Sequence, residues 1–447
     1  SLGAAALALT VQNPWCILGW GMQLSFVSTA GIVLLSERIF ALLYGDRKRK
    51  RHWPKVLRRL WQGILSSLSV TAGALAGGTL LMMAYFGRIS LVSPLTNLLT
   101  GWAVSWCFRG SLLTALTGLI SPATAKALGW WVSLFIRYVG RVAALLSAVP
   151  FASLNTRTVY GFVWVGMVYG ILLALALLPG RKRPVIPGCC VAAGLAACLL
   201  FSMLEARDFT LRVLDVGQGQ CIVATCRGQT VVLDCGGSLD EAVGDQAAEA
   251  LLDMGMTRVD ALILTHYDSD HSAGVGELLA RMPVTRILAP DISPDQPERM
   301  QVAQAAADSG AELLFITENT RLSLGTGTVL IYPPVAEADR NCGLAVLFDV
   351  MGARALITGD MDAAQESLLL RQQELPRVDI LLAGHHGSKT STSEDLLAAT
   401  EPRAVVISVG RNSYGHPSPE TLARIAAIDA RVYRTDQNGT VTIRKGA

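Results

Sequence analysis

The stretch Ala261-Leu262-Ile263-Leu264-Thr265-His266-Tyr267-Asp268-Ser269-Asp270-His271-Ser272-Ala273-Gly274 decides how the second half of the chain folds and what chemistry it can carry. Its apolar start reads as a buried β-strand, and its end reads as the start of a helix. On the turn between them His266, Asp268 and Asp270 alternate, so three donor side chains point the same way, and His271 adds a second direction. Buried without a cation, carboxylates and imidazoles at this density would repel or stay unsatisfied. Mixed oxygen and nitrogen donors of this kind suit Zn²⁺ or Mn²⁺.

Further motifs share the same context. Ala355-Leu356-Ile357-Thr358-Gly359-Asp360 is a strand delivering a carboxylate at its end, and Ala383-Gly384-His385-His386-Gly387-Ser388-Lys389 also follows an apolar strand. Two looser elements line the same edge: Asp215-Val216-Gly217-Gln218-Gly219, and Arg411-Asn412-Ser413-Tyr414-Gly415-His416-Pro417. His416 reads either as a proton donor or phosphate ligand, or as a structural histidine. Of the six histidines in the chain five fall in these polar motifs, which packing alone does not explain; His52 lies apart, in a basic loop.

Outward from these motifs, the 447 residues are 51% hydrophobic and only 16% charged, which excludes a disordered chain. A mean hydropathy of +0.41 argues against a wholly soluble protein. The net charge of +3 hides a division: residues 1–204 hold 18 Lys and Arg against 2 acids, and residues 205–447 hold 20 against 33, giving +16 and −13. That pattern predicts a membrane part, residues 1–205, followed by an acidic α/β domain, residues 206–447.

Segments 15–35, 64–86, 130–149, 159–178 and 185–204, with 91–108, reach the roughly 20 apolar residues of a membrane-spanning helix; 111–120 is shorter and reads as re-entrant or interfacial. Arg137 and Arg141 lie on one helical face, which turns either into a bundle or watery cavity or toward an interface. Basic runs at Arg47-Lys48-Arg49-Lys50-Arg51 and Arg181-Lys182-Arg183 predict cytoplasmic loops, which puts residue 205 onward outside the cytoplasm of a multi-pass protein in the cell membrane. The nine cysteines form no Cys-x-x-Cys pair and read as buried small hydrophobes. The chain opens on Ser1 inside an apolar run, so the expectation is a piece of a longer protein.

These motifs together resemble the ComEC family of DNA-internalisation proteins. The likeness rests on Leu214-Asp215-Val216-Gly217-Gln218-Gly219, Leu233-Asp234-Cys235-Gly236, His266-Tyr267-Asp268-Ser269-Asp270-His271, Thr358-Gly359-Asp360 and Gly384-His385-His386-Gly387-Ser388. In the first half it rests on Asn13-Pro14, Gly21-Met22-Gln23-Leu24-Ser25-Phe26, Phe86-Gly87-Arg88-Ile89-Ser90, Pro94 and Asn97. The resemblance implies a polytopic α-helical membrane bundle, truncated at its N-terminus, followed by a metallo-β-lactamase-like αββα sandwich. It implies two divalent ions, Zn²⁺ or Mn²⁺, with His266 and Asp268 on one, Asp270 and His271 on the other, Asp360 bridging, His385 completing the set and Asp234 a structural acid nearby. His386 is the alternative to His385 and otherwise a catalytic candidate. The sequence departs from the family at Asp268, where many relatives of the fold have His, which favours Mn²⁺. Gln220 stands in place of an acid, no His lies between His271 and His385, and Asn341 is a possible substitute ligand.

The implied reaction is metal-dependent hydrolysis of a DNA phosphodiester, with Asp270 or Asp360 orienting the attacking water and Lys389 or His416 neutralising the leaving group. One strand would be degraded and the other transported, with a DNA receptor and an ATPase of the competence machinery as partners. A local basic patch of Arg340, Lys389 and Arg411 would offset the domain's acidity. The rival readings are a membrane-anchored binuclear metallohydrolase of a small phosphodiester or ester without transport, and a pore whose metal domain only binds DNA.

Overall fold

The computed structural model describes residues 2–44, 54–149, 152–155, 159–177, 185–205, 207–238, 242–335 and 343–446. Both basic runs, Arg340, Asn341 and Cys342 lie outside the described residues. The chain divides into two compact units, Ser1–Val191 and Ala192–Ala447.

In the first unit the described helices are α1 (Leu2–Gln12), α2 (Trp20–Tyr44), α3 (Lys55–Phe86), α4 (Ser93–Gly118), α5 (Pro122–Ser147), α6 (Val159–Leu177) and α7 (Val185–Glu205), which runs on into the second unit. Short strands β1 (Arg88–Ser90) and β2 (Ser153–Asn155) pair antiparallel. Among the described residues α2 and α3 are long and apolar enough to cross a bilayer. The segment 111–120 is not a separate re-entrant piece: it continues α4, because nothing between Phe108 and Leu119 breaks the helix. Helix α5 packs on α4 through Trp102, which meets Phe135 at 6.0 Å and Tyr138 at 5.5 Å between ring centroids. Arg137 and Arg141 stay exposed on α5. Gln23 accepts from Tyr85 Oη at 2.7 Å and Asn97 donates to Thr71 Oγ1 at 3.4 Å, so both polar groups tie helices together.

Small residues let α2 and α3 approach closely, as in membrane helix pairs. A Cβ at Gly31 would run into the Gly73 carbonyl oxygen, and one at Gly77 into that of Val27.

The second unit holds strands β3 (Phe209–Val213), β4 (Cys221–Cys226), β5 (Gln229–Cys235), β6 (Ala261–Ile263), β7 (Arg286–Pro290), β8 (Glu312–Ile316), β9 (Thr320–Leu324), β10 (Gly327–Tyr332), β11 (Ala345–Val350), β12 (Ala353–Ile357), β13 (Ile380–Leu382), β14 (Ala404–Ile407), β15 (Arg431–Arg434) and β16 (Val441–Lys445). They form two seven-stranded sheets, ordered β16-β3-β4-β5-β6-β7-β8 and β15-β14-β13-β12-β11-β10-β9. Helices α8 (Val243–Asp253), α9 (Ser269–Ser272), α10 (Val275–Arg281) and α11 (Pro297–Ser309) follow strands of the first sheet. Helices α12 (Ala363–Gln372), α13 (Glu394–Thr400), α14 (Pro419–Ala427) and α15 (Thr435–Asn438) follow strands of the second.

The sandwich follows from strands that are apolar on both faces. On β4, Ile222, Ala224 and Cys226 enter the core between the sheets, while Cys221 and Val223 enter the core beneath α8 and α10. On the second sheet Phe348 and Leu382 face the first sheet, whereas Leu347 and Leu381 face α12 and α13. The layers are therefore helix, sheet, sheet, helix, the αββα order expected. Strands β8 and β9 escape the sequence reading because each closes a sheet edge with most side chains exposed or half-exposed, which blurs the alternation. The described cysteines are free thiols; those on β4 and β5 are buried, but Cys189 and Cys190 are exposed on α7 rather than buried.

Replacing Gly31 with valine should force α2 and α3 apart and cost about 1–3 kcal/mol. Unfolding of the detergent-solubilised chain measures this, and an unchanged midpoint would refute the close-packing account.

Candidate metal centre

The centre assembles at the C-terminal ends of parallel strands, where such sheets open to ligands. Asp234 is the penultimate residue of β5 and adopts a left-handed backbone (φ 56°). It is fully buried, and its two oxygens take hydrogen bonds from Thr265 N (2.7 Å), Thr265 Oγ1 (2.8 Å), Gln220 Nε2 (2.7 Å) and His271 Nδ1 (2.8 Å). This locks the turn after β6 and aims His271 Nε2 into the centre. Gly236 lies so close to the Asp270–His271 backbone that a Cβ there would strike His271 N.

The second sheet supplies the facing half. Asp360 follows β12, and Gly384-His385-His386-Gly387 follows β13 with both histidines left-handed (φ 48° and 54°), a conformation that costs non-glycine residues about 1–2 kcal/mol each. Tertiary bonds hold it. His386 Nδ1 meets the Ser408 carbonyl at 2.8 Å, and His385 N donates to Gly359 O at 3.1 Å. Buried Glu366 of α12 accepts from Thr392 N (2.7 Å) and Ser393 N (2.8 Å), and Arg424 of α14 donates to Ser391 O at 2.8 Å.

Asp270, His271, Asp360 and His386 each offer a donor atom, and these atoms lie within 4.8 Å of one another. His271 Nε2 stands 3.1 Å from Asp360 Oδ1 and 3.3 Å from His386 Nε2, which in turn is 3.3 Å from Asp270 Oδ2. The other oxygen of Asp360, Oδ2, faces His266 Nε2 at 3.7 Å and His385 Nε2 at 3.5 Å. Of the adjacent histidines it is therefore His386 that joins the four-residue group, while His385 approaches Asp360 from its second oxygen. Asp268 lines the cleft and accepts from Gln296 Nε2 at 2.8 Å.

His266 Nε2 is buried with no hydrogen-bond partner, an expensive state for an imidazole nitrogen unless a cation completes it. With imidazole and carboxylate donors clustered around one buried carboxylate, the residues fit divalent-metal binding.

Electrostatics agree. Burial opposes charge on His271, but Asp360 and Asp234 outweigh it and raise its pKa well above the usual range. Burial would raise Asp270, yet the hydrogen bond from His386 and the charge of His271 hold it at about 2. Burial, then the charge on His271, lowers His266. His416 lines the cleft with its ring 5.6 Å from that of His385, and burial, then His385 and His386, lowers its pKa.

Lys389 is placed elsewhere. It lines a separate depression of about 570 Å³ with Asp362 and Arg424, so the role of neutralising a leaving group does not fit it. It lies past the sharp turn at Gly387 and Ser388, and sequence adjacency misled here. Gln218, Arg411, Asn412 and Tyr414 do line the centre's cleft of about 620 Å³, as do Ser238 and Glu298, which the sequence did not single out. Glu366 and Gln296 were also missed; each reads in sequence as an ordinary polar residue in or before a helix.

Two outcomes follow. Asp234→Asn presents an amide donor to four donors, and should weaken metal binding roughly 10–100-fold, read by metal analysis after dialysis. In the metal-free protein, the stabilisation from Asp270 is present above about pH 4 and lost as pH falls toward 2. That from His271 is present below about pH 6.5 and lost as pH rises through its raised value. Unfolding temperature without metal should thus peak between these limbs. Zn²⁺ or Mn²⁺, which requires neutral His271, should bind more tightly as pH rises, with proton release. Metal affinity independent of pH between about 6 and 8 would contradict the assignment.

Residues 1–182 match the family described as Competence protein, and residues 214–411 match the Metallo-beta-lactamase superfamily. ComE operon protein 3 of Bacillus subtilis (strain 168) is 26% identical over 463 residues, covering 98% of this chain and 57% of that protein. Competence protein ComA of Neisseria gonorrhoeae is 25% identical over 451 residues, covering 99% of this chain and 58% of that protein. The chain thus spans a little over half the length of these curated relatives. Among solved structures, the metallo-beta-lactamase fold protein YhfI from Bacillus subtilis aligns with 53% of this chain and 100% of its own at 13% identity and a TM-score of 0.40. The chain is thus similar to competence proteins in its first part and to the metallo-β-lactamase superfamily in its second, in the same order along one chain.

Proposed function

We propose that the protein serves DNA uptake in competence, with a helical membrane part that passes one strand and a metal-dependent nuclease unit that hydrolyses the other. The observation that carries this reading is the convergence of His266, His271 and His385 on the two oxygens of Asp360, with His386 and Asp270 beside His271, in a chain whose residues 1–182 match a competence-protein family. Asp270, His271, Asp360 and His386 would hold one ion, and His266, His385, Asp268 and the second oxygen of Asp360 the other. The ions would supply Lewis-acid polarisation of a phosphodiester and an activated water.

The chain's own residues do the rest. Asp234 holds His271 in one tautomer and orientation. Asp268, fixed by Gln296, forms part of the cleft wall. His416, kept neutral by burial and by His385 and His386, carries one ring N–H with which to hydrogen-bond a leaving oxygen. Acid at position 268 hardens the donor set, which favours Mn²⁺ over Zn²⁺. The basic runs in 47–51 and 181–183 support a multi-pass protein of the cell membrane with the nuclease unit on the extracytoplasmic side; a DNA receptor and an ATPase are the partners that the family resemblance implies.

The net charge of −13 over residues 205–447 opposes a generic grip on DNA, and it favours the rival reading, an anchored hydrolase of a small phosphodiester or ester. The purified full chain in detergent, given Mn²⁺ or Zn²⁺ and linear DNA, separates the two. Cleavage should vanish on chelation, and Asp268→Ala with Asp270→Ala should lower it at least ~100-fold. Turnover of small diesters with intact DNA would establish the rival; bound metal and DNA without turnover would leave a binding module.

A further inference from the structure

The loop after β14 carries a feature that the hydrolytic chemistry does not use. Tyr414 is 74% exposed at the rim of the metal-centre cleft, where its ring adds nothing to the core. The backbone that carries it is nevertheless held in place. Asn412 Nδ2 donates to the carbonyls of Gly410 (2.9 Å) and His416 (2.8 Å), and Asn412 Oδ1 accepts from Tyr414 N and His416 N, both at 3.1 Å. Tyr414 lies 5.9 Å from the His416 ring at 37°, and His416 lies 5.6 Å from His385, so the three rings step from the rim down to the metal group.

Arg411 stands on the same loop, exposed and without an ion-pair partner among the described residues. It is the one Lys or Arg among the described residues lining this cleft, alongside Asp268, Asp270, Glu298 and Asp360. A substrate phosphate outside the metal group therefore finds a single guanidinium, beside a single exposed aromatic face.

An aromatic face and a guanidinium on one loop at the lip of one cleft match one nucleotide: a base to stack and its phosphate to pair. Stacking needs a base whose own face is uncovered, as in a single strand or a frayed end. A loop already fixed by Asn412 loses little freedom on binding. We propose that Tyr414 and Arg411 form a nucleotide-reading rim, in which Tyr414 stacks on an unpaired base flanking the scissile phosphodiester and Arg411 holds the adjacent phosphate. This deepens the nuclease reading and rests on it.

The test compares a single-stranded DNA oligonucleotide with an abasic phosphodiester oligomer of equal length, both fluorescein-labelled, by anisotropy on the full chain in detergent with metal chelated. Tyr414→Ala should weaken the base-bearing strand roughly tenfold and leave the abasic strand unchanged, and Tyr414→Phe should restore binding. Arg411→Gln should weaken both strands alike and lower the slope of log affinity against log salt by about 0.7. A Tyr414→Ala chain that binds both strands like the parent, or loses both equally, overturns the proposal while a DNA-cleaving parent keeps the nuclease reading. A parent chain that neither binds nor cleaves DNA overturns both.

Discussion

A buried carboxylate whose oxygens take four protein donors fixes the centre. Asp234 is fully buried near the end of β5, where its oxygens are shared among Thr265, Gln220 and His271. A buried charge is tolerated only when its lone pairs are taken. Satisfying Asp234 dictates the path of the turn after β6, and that turn carries His266, Asp268, Asp270 and His271. The donor cluster is thus built on one internal acid that never needs to touch a metal.

The opposite half is held from outside. His385 and His386 adopt left-handed backbone that their side chains disfavour. Glu366 and Arg424 reach the loop from α12 and α14, taking its amides and carbonyls respectively. Local strain at the centre is offset by bonds made elsewhere in the second sheet's helical layer. The two halves then meet at Asp360, whose oxygens face different imidazoles.

The membrane-type unit obeys different physics. Helices α2 and α3 approach through Gly31, Gly73 and Gly77, and single polar groups such as Gln23, Asn97 and Tyr169 bond across helices. No hydrophobic core of the soluble kind is needed when the surroundings are themselves apolar. This is why the exposed Leu, Trp and Val side chains concentrate in the first unit.

Much of this was legible in the residues. Apolar strands ending in Asp or His announce themselves, because burial on both faces forces a continuous hydrophobic run and only the strand end is free to carry polar chemistry. The Asp360 carboxylate and the His266–His271 cluster follow from that logic, whereas the order of layers was what the family resemblance implied. What the order of residues does not encode is which neighbour in space receives each side chain. His385 and His386 are adjacent in the chain, yet left-handed backbone turns His386 toward His271 and Asp270, and His385 toward the far oxygen of Asp360. Lys389 leaves the cleft for the same reason, and Gln296, just before α11, and Glu366, within α12, enter the support of the centre with no sign of it in the sequence. Sequence alone determined which atoms are available, since donor type is covalent; only the tertiary structure decided their partners, since partnership depends on backbone direction set by contacts between residues far apart in the chain, such as His271 and His386.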